Sequence, residues 1–376
     1  MNKIKVAVII TKLELGGAQK VAISLCEKLD KNKFETVLIC GCGGILDEET
    51  KNKIRVIFVK DLVREISPIK DLKALYSIYK ILKQENPNIV HTHSSKAGII
   101  GRLAAKLCGI QNIIHTIHGF SFNDTQSFLK KNLFIFLEKL GAKFSKYLIP
   151  VSIENTTKGL QNNIGKKEKY HYIRLGVDID NFKNFNDIPS LKKELNLNEQ
   201  DILVTTIGPF KPQKNLPDFI KIAKDISEKN KSFKFIMVGD GTLRQNFENL
   251  IRDYNISNNI FLLGWRRDIS NILNSSDIFV MTSLWEGLPI STIEAMCCGL
   301  SPIVNDVDGQ REIVKDGFNG FLIKPHNIKA CEEKILLLAN DKKLRKELSL
   351  NARNSIDYTF SIDYMIKQHD QLYSQL

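Results

Sequence analysis

The sequence contains no apolar stretch that approaches the ~20 residues needed to cross a membrane as a helix. Its longest apolar runs, such as residues 6–10, have the length of a strand. That run follows a short basic segment, as in a signal peptide, but Lys12 interrupts it and no small-residue cleavage site follows. We therefore expect neither a leader nor a membrane span, and a protein that works in the cytoplasm.

Cysteine pairs and two nucleotide-binding fingerprints are also missing. The seven cysteines are odd in number and include no C-x-x-C pair, which disfavours a disulfide framework or a zinc ribbon and indicates reduced thiols. Neither G-x-G-x-x-G nor G-x-x-x-x-G-K-[ST] occurs, so the dinucleotide and P-loop motifs are excluded. The apolar fraction of 43% is that of a globular chain and excludes a disordered one.

Positive charge is concentrated in the first half of the chain. The 54 Lys+Arg and 42 Asp+Glu residues give a net charge of +12. Residues 1–175 hold 29 basic and 15 acidic residues, a net +14, which leaves −2 for the remainder. Such a half suits an anionic partner: nucleic acid, a membrane surface or a phosphorylated substrate. Nucleic acid is the least favoured, because no basic patch interleaved with aromatic residues is present.

Strand and helix patterns alternate along the chain, which predicts an α/β fold with parallel sheets. Predicted strands cover residues 6–10, 34–40, 54–59, 88–91, 113–116, 147–151, 202–207, 233–238, 260–263 and 277–281. Predicted helices cover residues 17–29, 69–83, 97–107, 126–140, 217–227, 243–254 and 290–296.

A polar, strand-poor stretch after Gly176 separates two such alternations. We expect two Rossmann-like domains at residues 1–175 and 176–357, with a helix at about 358–376 that packs back on the first. Ligands should bind where the carboxyl ends of the strands face the cleft between the domains.

Two groups of residues in the first half follow predicted strands. Gly16 and Gly17 lie between the first strand and first helix, where free N–H groups favour a phosphate, although most glycine pairs are only tight turns. Four of the seven histidines follow neighbouring strands, at positions 91, 93, 115 and 118. A metal site is one interpretation of them, but no carboxylate or thiolate lies nearby in sequence, so we favour a substrate contact for His118, which Gly119 follows.

The most informative segment of the second half is residues 286–296. Glu286 and Glu294 lie eight residues apart around a Gly-Leu-Pro turn, and Glu294 falls within the following helix among apolar residues. Burying a lone carboxylate is costly, so Glu294 should be paired or bonded to a ligand. The alternative of a capping, solvent-facing glutamate is about equally compatible with the spacing alone.

Together these residues resemble glycosyltransferase family 4, the retaining nucleotide-sugar transferases of GT-B architecture. The resemblance covers nearly the whole chain and implies a GT-B fold, an α/β arrangement of two Rossmann-like domains with parallel sheets facing across a cleft. The segments that carry it are residues 16–19, 91–98, 115–120, 208–215, 238–241 and 263–265, and the EX7E motif of Glu286 and Glu294.

The resemblance implies a role for each matching residue. His118, Lys214 and Glu286 would be catalytic, at the donor sugar and its diphosphate. The acceptor side would be formed by His93, Ser94 and Lys96. The donor would be bound by Gly16, Gly17, Gly208, Lys211, Gly239, Gly241, Trp265, Arg266, Leu288, Pro289, Ile290, Ser291, Thr292 and Glu294.

One position departs from the pattern, and two strings look like a metal motif. Many members carry an arginine directly after the Gly208 equivalent, whereas this chain has Pro209, so either Lys211 substitutes or the cationic clamp is weaker. The resemblance implies front-side transfer without a metal or other cofactor. Two Asp-x-Asp strings, at residues 178–180 and 306–308, are interpreted as chance matches to a GT-A metal site.

The same resemblance indicates the substrates. We expect a UDP-linked hexose or N-acetylhexosamine as donor, and as acceptor a polyprenyl-diphosphate-linked glycan at the inner face of the cell membrane. A transferase acting on a soluble acceptor, such as a sucrose- or starch-type enzyme, is disfavoured by the basic first half. A non-catalytic nucleotide- or nucleic-acid-binding protein is the remaining alternative.

The helix near Gln126 is predicted to dock the protein on an anionic membrane surface. The expected membrane face carries Phe128, Ile135, Lys139 and Lys146, flanked by Lys131 and Lys143. The face expected to pack on the sheet carries Leu129, Leu133, Phe136, Leu137, Leu140 and Phe144.

Overall fold

The computed structural model describes residues 3–123, 126–183 and 191–376. The chain divides into two compact units, Met1–Gly176 with Ile362–Leu376, and Val177–Ser361. Each unit is built on one six-stranded sheet whose paired strands are all parallel. The α/β class predicted from the alternation of strands and helices is therefore confirmed.

The first unit has the strand order β3-β2-β1-β4-β5-β6. Its strands are β1 (Ile4–Ile10), β2 (Phe34–Cys40), β3 (Val56–Phe58), β4 (Ile89–His93), β5 (Asn112–Ile117) and β6 (Tyr147–Pro150). Its helices are α1 (Gly17–Lys28), α2 (Asp47–Lys51), α3 (Pro68–Glu85), α4 (Ser95–Leu107), α5 (Phe128–Phe144), α6 (Ile153–Gln161) and the C-terminal α16 (Ile362–Ser374).

The second unit has the strand order β12-β11-β10-β7-β8-β9. Its strands are β7 (Ile202–Ile207), β8 (Phe233–Val238), β9 (Ile260–Gly264), β10 (Ile278–Met281), β11 (Pro302–Asn305) and β12 (Phe321–Ile323). Its helices are α7 (Ile179–Lys183), α8 (Leu191–Glu194), α9 (Leu216–Lys229), α10 (Arg244–Asp253), α11 (Ile269–Asn274), α12 (Ile290–Cys297), α13 (Gln310–Ile313), α14 (Ile328–Asn340) and α15 (Lys342–Asn354).

Both sheets reverse their strand order at a switch point, where ligands of open α/β sheets bind. In the first unit the switch lies between β1 and β4, so the loops after these strands leave the sheet in opposite directions. In the second unit it lies between β7 and β10. The central strands β4 and β10 are buried throughout, and β1 and β7 are buried over most of their length, as expected in a sheet covered on both faces. The loops after β1 and β4 and after β7 and β10 therefore bring the predicted motifs at Gly16, Ser94, Lys214 and Glu286 to these switch points.

Two elements, β4 and α5, have boundaries that differ clearly from the predicted ones. The strand predicted at residues 88–91 continues to His93, so His93 is a buried strand residue. The helix predicted from Gln126 begins at Phe128 and continues through Gly141 to Phe144. At β6 the prediction is closer, and Ser152 caps α6 by accepting a hydrogen bond from the Asn155 amide at 3.2 Å.

The face of α5 predicted to pack on the sheet is wrong, although Phe128 is 80% exposed as predicted. Leu129 is 80% exposed and Phe136 is 62% exposed, whereas the residues that α5 buries are Glu138, Gly141 and Ala142. Ile135, predicted on the outer face, packs on the cluster around β5 and β6. Lys146 follows the end of the helix and donates to the Asn112 side chain at 2.9 Å.

Small residues on the side of α5 that packs against α4 explain this orientation. The guanidinium of Arg102 on α4 is fully buried against α5 and pairs with Glu138 at 2.9 Å. A Cβ atom at Gly141 would lie 2.3 Å from Arg102 Cζ, so only a glycine permits this contact. Among the residues described, no helix has the length and apolar character of a membrane span.

Candidate active site

A lysine–glutamate pair forms the centre of the site in the second unit. Lys214 lies in the 3₁₀ turn Pro212–Lys214 that follows β7, and Glu286 lies in the loop that follows β10. Lys214 Nζ is 2.6 Å from Glu286 Oε1, and both side chains are almost buried. Gly208 makes room for the lysine, because a Cβ atom there would lie 2.7 Å from Lys214 Cε. The switch point therefore holds a cation and a carboxylate in contact.

Three polar residues to which the sequence assigned no role hold this pair in place. The hydroxyl of Thr282 donates to the backbone carbonyls of the 214–215 turn, 3.0 Å away. Gln213 Nε2 donates to the Trp285 carbonyl at 2.7 Å. The Glu286 amide donates to Asp308 Oδ2 at 2.9 Å. Asp308 belongs to one of the two Asp-x-Asp strings, and its position at the carboxyl end of the sheet, after β11, is the signal that identifies it.

The loop from 286 to 289 leads directly into α12. Gly309 packs so closely on this loop that a Cβ atom would lie 1.9 Å from the Gly287 carbonyl oxygen. Pro289 precedes the helix, and the Thr292 amide donates to its carbonyl at 3.1 Å. The Ile290 and Ser291 amides are therefore better candidates to bind a diphosphate than the Thr292 amide, since the first amides of a helix have no intrahelical acceptor.

Glu294 lies on the second turn of α12 and is 4% exposed. Its neighbours on the helix, Ile293 and Ala295, are fully buried. The predicted burial of this carboxylate is therefore present. A buried carboxylate at the carboxyl end of a sheet suits hydrogen bonding to hydroxyl groups of a ligand.

Glycines bring the ends of β7, β8 and β9 into close contact. Gly239 has φ of +132° and donates to the Gly264 carbonyl at 2.8 Å. A Cβ atom on Gly239 would lie 2.0 Å from the Gly208 carbonyl oxygen. Gly241 is similarly tight against the backbone of Phe210. These three strand ends therefore present backbone groups with little side-chain cover.

The side chains beside these glycines are less suited to direct ligand contact than their backbone. Arg266 donates to Glu194 and Asp268, with shortest contacts of 2.6 Å. These hydrogen bonds raise the pKa of Arg266 above its usual value. The half-buried Trp265 lies next to it. Lys211 is half-buried too, and its carbonyl accepts from the Lys214 amide at 3.0 Å.

The first unit offers a helix N-terminus at its switch point. α1 begins at Gly17 after the extended Gly16, with no side-chain cap and no acidic residue in its first turn. A twelve-residue helix with such a start favours an anion through its N–H groups and its dipole. The predicted phosphate contact of Gly16 and Gly17 fits this geometry.

His118 follows β5 and contacts His93 at the end of β4. His93 Nδ1 and His118 Nε2 are 3.0 Å apart, so one of the two nitrogens donates a proton to the other. Burial lowers the pKa of His118 to about 3 and the pKa of His93 well below its usual value. The pair is therefore neutral at physiological pH. His93, predicted on the acceptor side, is fully buried against His118.

The other predicted acceptor residues are held by contacts within the first unit. Ser94 Oγ is 2.7 Å from the Thr11 hydroxyl. Lys96 Nζ forms a 2.5 Å ion pair with Asp71. Both residues start α4 at the carboxyl edge of the sheet, next to the histidine pair.

His91, His115 and the second Asp-x-Asp string, residues 306–308, bond to protein groups. His91 lies between the hydroxyls of Tyr373 and Thr116, at 2.5 and 2.7 Å. His115 Nδ1 is 2.9 Å from the Thr92 hydroxyl. Asp306 accepts from Arg311 at 2.6 Å. Within residues 3–123, 126–183 and 191–376, no three His, Cys, Asp or Glu side chains are grouped as metal ligands would be.

Comparison with known proteins agrees with these motifs. The family model described as Glycosyltransferase Family 4 matches residues 15–181, and the model described as Glycosyl transferases group 1 matches residues 187–355. The two matches follow one another along the chain and correspond closely to its two units.

Two bacterial relatives align over most of the chain. One is the Escherichia coli protein named UDP-Gal:alpha-D-GlcNAc-diphosphoundecaprenol alpha-1,3-galactosyltransferase, 38% identical over 99% of this chain and 97% of its own length. The other is the Campylobacter jejuni protein named N,N'-diacetylbacillosaminyl-diphospho-undecaprenol alpha-1,3-N-acetylgalactosaminyltransferase. It is 32% identical over 84% of this chain and 86% of its own length.

Solved structures with the same fold are less similar in sequence. Anabaena HepE in complex with UDP and glucose superposes with a TM-score of 0.85 at 19% identity, covering 99% of this chain and 100% of its own. WaaG, described as a glycosyltransferase of lipopolysaccharide biosynthesis, gives 0.79 at 14% identity, covering 98% and 99%. These structural similarities establish the fold alone. The chemistry must be inferred from the residues described above.

Proposed function

Because this chain belongs to glycosyltransferase family 4 and has the GT-B fold, we propose that it transfers galactose from UDP-galactose to the 3-hydroxyl group of an N-acetylhexosamine. The acceptor sugar would be linked to a polyprenyl diphosphate. The full-length similarity to the Escherichia coli relative supports this donor and acceptor. The Campylobacter relative, named for a second alpha-1,3 transfer to a diphosphoundecaprenol-linked sugar, supports the acceptor class and makes N-acetylgalactosamine the second candidate donor sugar.

The contact between Lys214 and Glu286 is the observation that carries this proposal. Charge develops on the diphosphate as its bond to the sugar breaks, and a fixed cation at that point stabilises the transition state. Lys214 supplies the cation, while Glu286 keeps it in place and offers a carboxylate to the sugar hydroxyls. The amides of Ile290 and Ser291 add N–H donors from the start of α12.

The expected reaction retains the anomeric configuration. UDP-galactose is an α-glycoside, and an alpha-1,3 product preserves that configuration. The acceptor oxygen forms its bond to the anomeric carbon on the face from which the diphosphate oxygen departs. The acceptor proton passes to that departing phosphate oxygen, so atoms and charge balance. Neutral His118 would hydrogen-bond to the transferred sugar and would not act as a cation, because burial lowers its pKa to about 3.

We propose that this chemistry needs no metal ion. Lys214 and the α12 N-terminus supply positive charge where the diphosphate would lie, which is the task a metal performs in other transferases. We also propose that the protein works as a peripheral protein on the inner face of the cell membrane, because the polyprenyl chain of the acceptor resides in the bilayer.

A panel of donors tests the proposal most simply. Purified protein is given UDP-galactose, UDP-glucose, the two UDP-N-acetylhexosamines, a GDP-sugar and an ADP-sugar, each with a water-soluble short-chain N-acetylglucosaminyl diphospholipid. We expect the fastest transfer from UDP-galactose. Preference for a GDP- or ADP-sugar would overturn the proposal that UDP-galactose is the donor. Nucleotide binding without transfer would favour the non-catalytic alternative.

A further inference from the structure

The outer surface of α5 carries a row of exposed apolar side chains. Leu129, Leu133, Phe136 and Leu140 follow the helical spacing i, i+4, i+7 and i+11, and all four are exposed. The opposite side of the helix holds the buried Glu138. Large apolar residues that face solvent in a regular row mark a surface that another body covers.

A second row of the same kind lies on α3. Ile69, Leu72 and Tyr76 follow the spacing i, i+3 and i+7, with exposed fractions of 70%, 67% and 59%. Ile66, just before the helix, is also exposed. Because right-handed crossovers place α3, α4 and α5 on the same face of the sheet, and α4 packs against both neighbours, the two rows belong to one helix layer.

The acidic residues of this layer are all engaged inside the unit. Asp71 pairs with Lys96, Glu85 pairs with Lys5 and Arg55, and Glu138 pairs with Arg102. Seven lysines of the three helices are exposed: Lys70, Lys73, Lys80, Lys83, Lys106, Lys130 and Lys143. No exposed acidic residue lies on α3, α4 or α5. We call the two apolar rows and these lysines the basic apolar face.

The charge of the basic apolar face selects its partner. A second copy of the chain would bring like charges together, which disfavours self-association through this face. A bilayer leaflet with anionic headgroups accepts apolar side chains into its acyl region and lysines at its surface, and each lysine near such a leaflet strengthens binding about fivefold. An anionic leaflet therefore matches both the apolar rows and the lysines of the basic apolar face.

The position of the face also suits a membrane-borne acceptor. In parallel β-α-β units the helices begin at the carboxyl edge of the sheet, where His93 and His118 lie. Ile66, Ile69 and Leu72 lie at the start of α3, and Leu129 and Leu133 at the start of α5. The apolar rows therefore lie towards the edge at which an acceptor sugar must arrive.

We propose that the basic apolar face docks this protein on an anionic phospholipid leaflet. The proposal rests on the proposed function, which requires an acceptor held in a membrane, and it names the surface that meets that membrane. The surface differs from the one predicted from the sequence, because the apolar residues that contact lipid are those predicted to pack on the sheet.

Sedimentation with vesicles tests the surface directly. Wild-type protein should bind vesicles of phosphatidylcholine mixed with phosphatidylglycerol and bind pure phosphatidylcholine much less. The L129S/L133S/F136S variant should bind the mixed vesicles at least tenfold less. K73E/K80E/K130E should do the same and make binding less sensitive to salt. The control variant I153S/F318S/L350S changes three residues of similar exposure elsewhere and should bind as wild type.

Turnover of a water-soluble acceptor keeps the two proposals distinguishable. If both test variants bind mixed vesicles as tightly as wild type, or wild type binds neither vesicle, the docking surface is overturned, whatever the turnover. If vesicle binding behaves as expected but no donor is turned over, the proposed function fails and the surface stands. If the wild type is a dimer and the L129S/L133S/F136S variant is a monomer, the face binds a second copy of the chain. That result would overturn the proposal that it binds lipid.

Discussion

Glu294 is the residue whose loss should affect the donor most selectively. The Glu294→Ala variant should raise the KM for the UDP-sugar about 10- to 150-fold, because a charge-assisted hydrogen bond contributes ~1.5–3 kcal/mol. Steady-state kinetics measures this effect. The exposed Glu333→Ala on α14 serves as the matched control. An unchanged KM would remove Glu294 from the donor site.

His118 should act as a neutral hydrogen-bonding group. His118→Ala should lower kcat more than it weakens donor binding, because the proposed contact is at the reacting sugar. Since the pKa of His118 is lowered to about 3, its protonation lies far below neutral pH and should leave no step in the kcat profile near its usual value. A step near pH 6.5 that disappears in His118→Gln would contradict the neutral assignment.

For single residues, the sequence identifies several side chains of the site but leaves most of their hydrogen-bonding partners unidentified. Lys214, Glu286, Glu294 and His118 are identifiable because short motifs carry them. The contact of Asp308 with the Glu286 amide joins two different loops, and only the strand order β11-β10-β7 brings them together. His93 is buried because β4 continues two residues beyond its predicted end. A short apolar pattern does not indicate this extension.

The helix α5 shows how an apolar periodicity can be assigned to the wrong face. Both faces of this helix carry large apolar residues, so the 100° period alone predicts two orientations. The observed one is set by small residues, because Gly141 and Ala142 let α4 approach and Glu138 neutralises Arg102. Close packing and the pairing of a buried charge determine the orientation. The spacing of apolar residues along the helix indicates neither of them.

Gly141→Ala tests this explanation. Alanine favours a helix over glycine by ~1 kcal/mol, but its Cβ would lie 2.3 Å from Arg102 Cζ. Because that guanidinium is fully buried and bonded to Gly98 and Glu138, crowding should dominate and the free energy of unfolding should fall by about 1–3 kcal/mol.

Urea denaturation measures the change caused by Gly141→Ala. The exposed Asn132→Ala on the same helix should be neutral or stabilising. A Gly141→Ala protein that is more stable than wild type would show that α4 and α5 can separate without cost.

Across the whole molecule, imidazoles whose pKa values are lowered by burial should make stability depend on pH. Burial lowers the pKa values of His91, His93 and His115 well below their usual value, that of His118 to about 3 and that of His369 to about 4. Between about pH 4 and pH 6.5 the unfolded chain therefore binds more protons than the folded one. Stability should be complete above pH 6.5 and fall on acidification, by about 1.4 kcal/mol per pH unit for each imidazole.

His369→Phe isolates one of these contributions. The phenyl ring can occupy the place of an imidazole that stacks on His91. The variant should match wild type near neutral pH and lose stability more slowly below pH 6.5, by about 1.4 kcal/mol per pH unit. Urea denaturation at several pH values measures the slope. Equal slopes for the two proteins would mean that His369 is protonated in the folded state.

The fold class could be predicted from the sequence because ten of the twelve strands and most of the helices between them have their own apolar patterns. The short strands β11 and β12 and the helices α14 and α15 were not predicted. β12 has only three residues, too few for a period to be recognised. The basic first half was recognised from charge counts, but the position of its lysines on one helix layer follows only from the topology.

The anomeric configuration and linkage of the product are the strongest test of the proposed α-1,3-galactosyl transfer. Protein treated with EDTA is incubated with UDP-galactose and an N-acetylglucosaminyl diphospholipid, and the product is analysed by NMR, with Lys214→Gln in parallel. We expect an α-1,3-linked galactose from the wild type and a rate about 10²- to 10³-fold lower from the variant. A β-linked product, activity that EDTA abolishes and Mn²⁺ restores, or a variant as fast as wild type would contradict it.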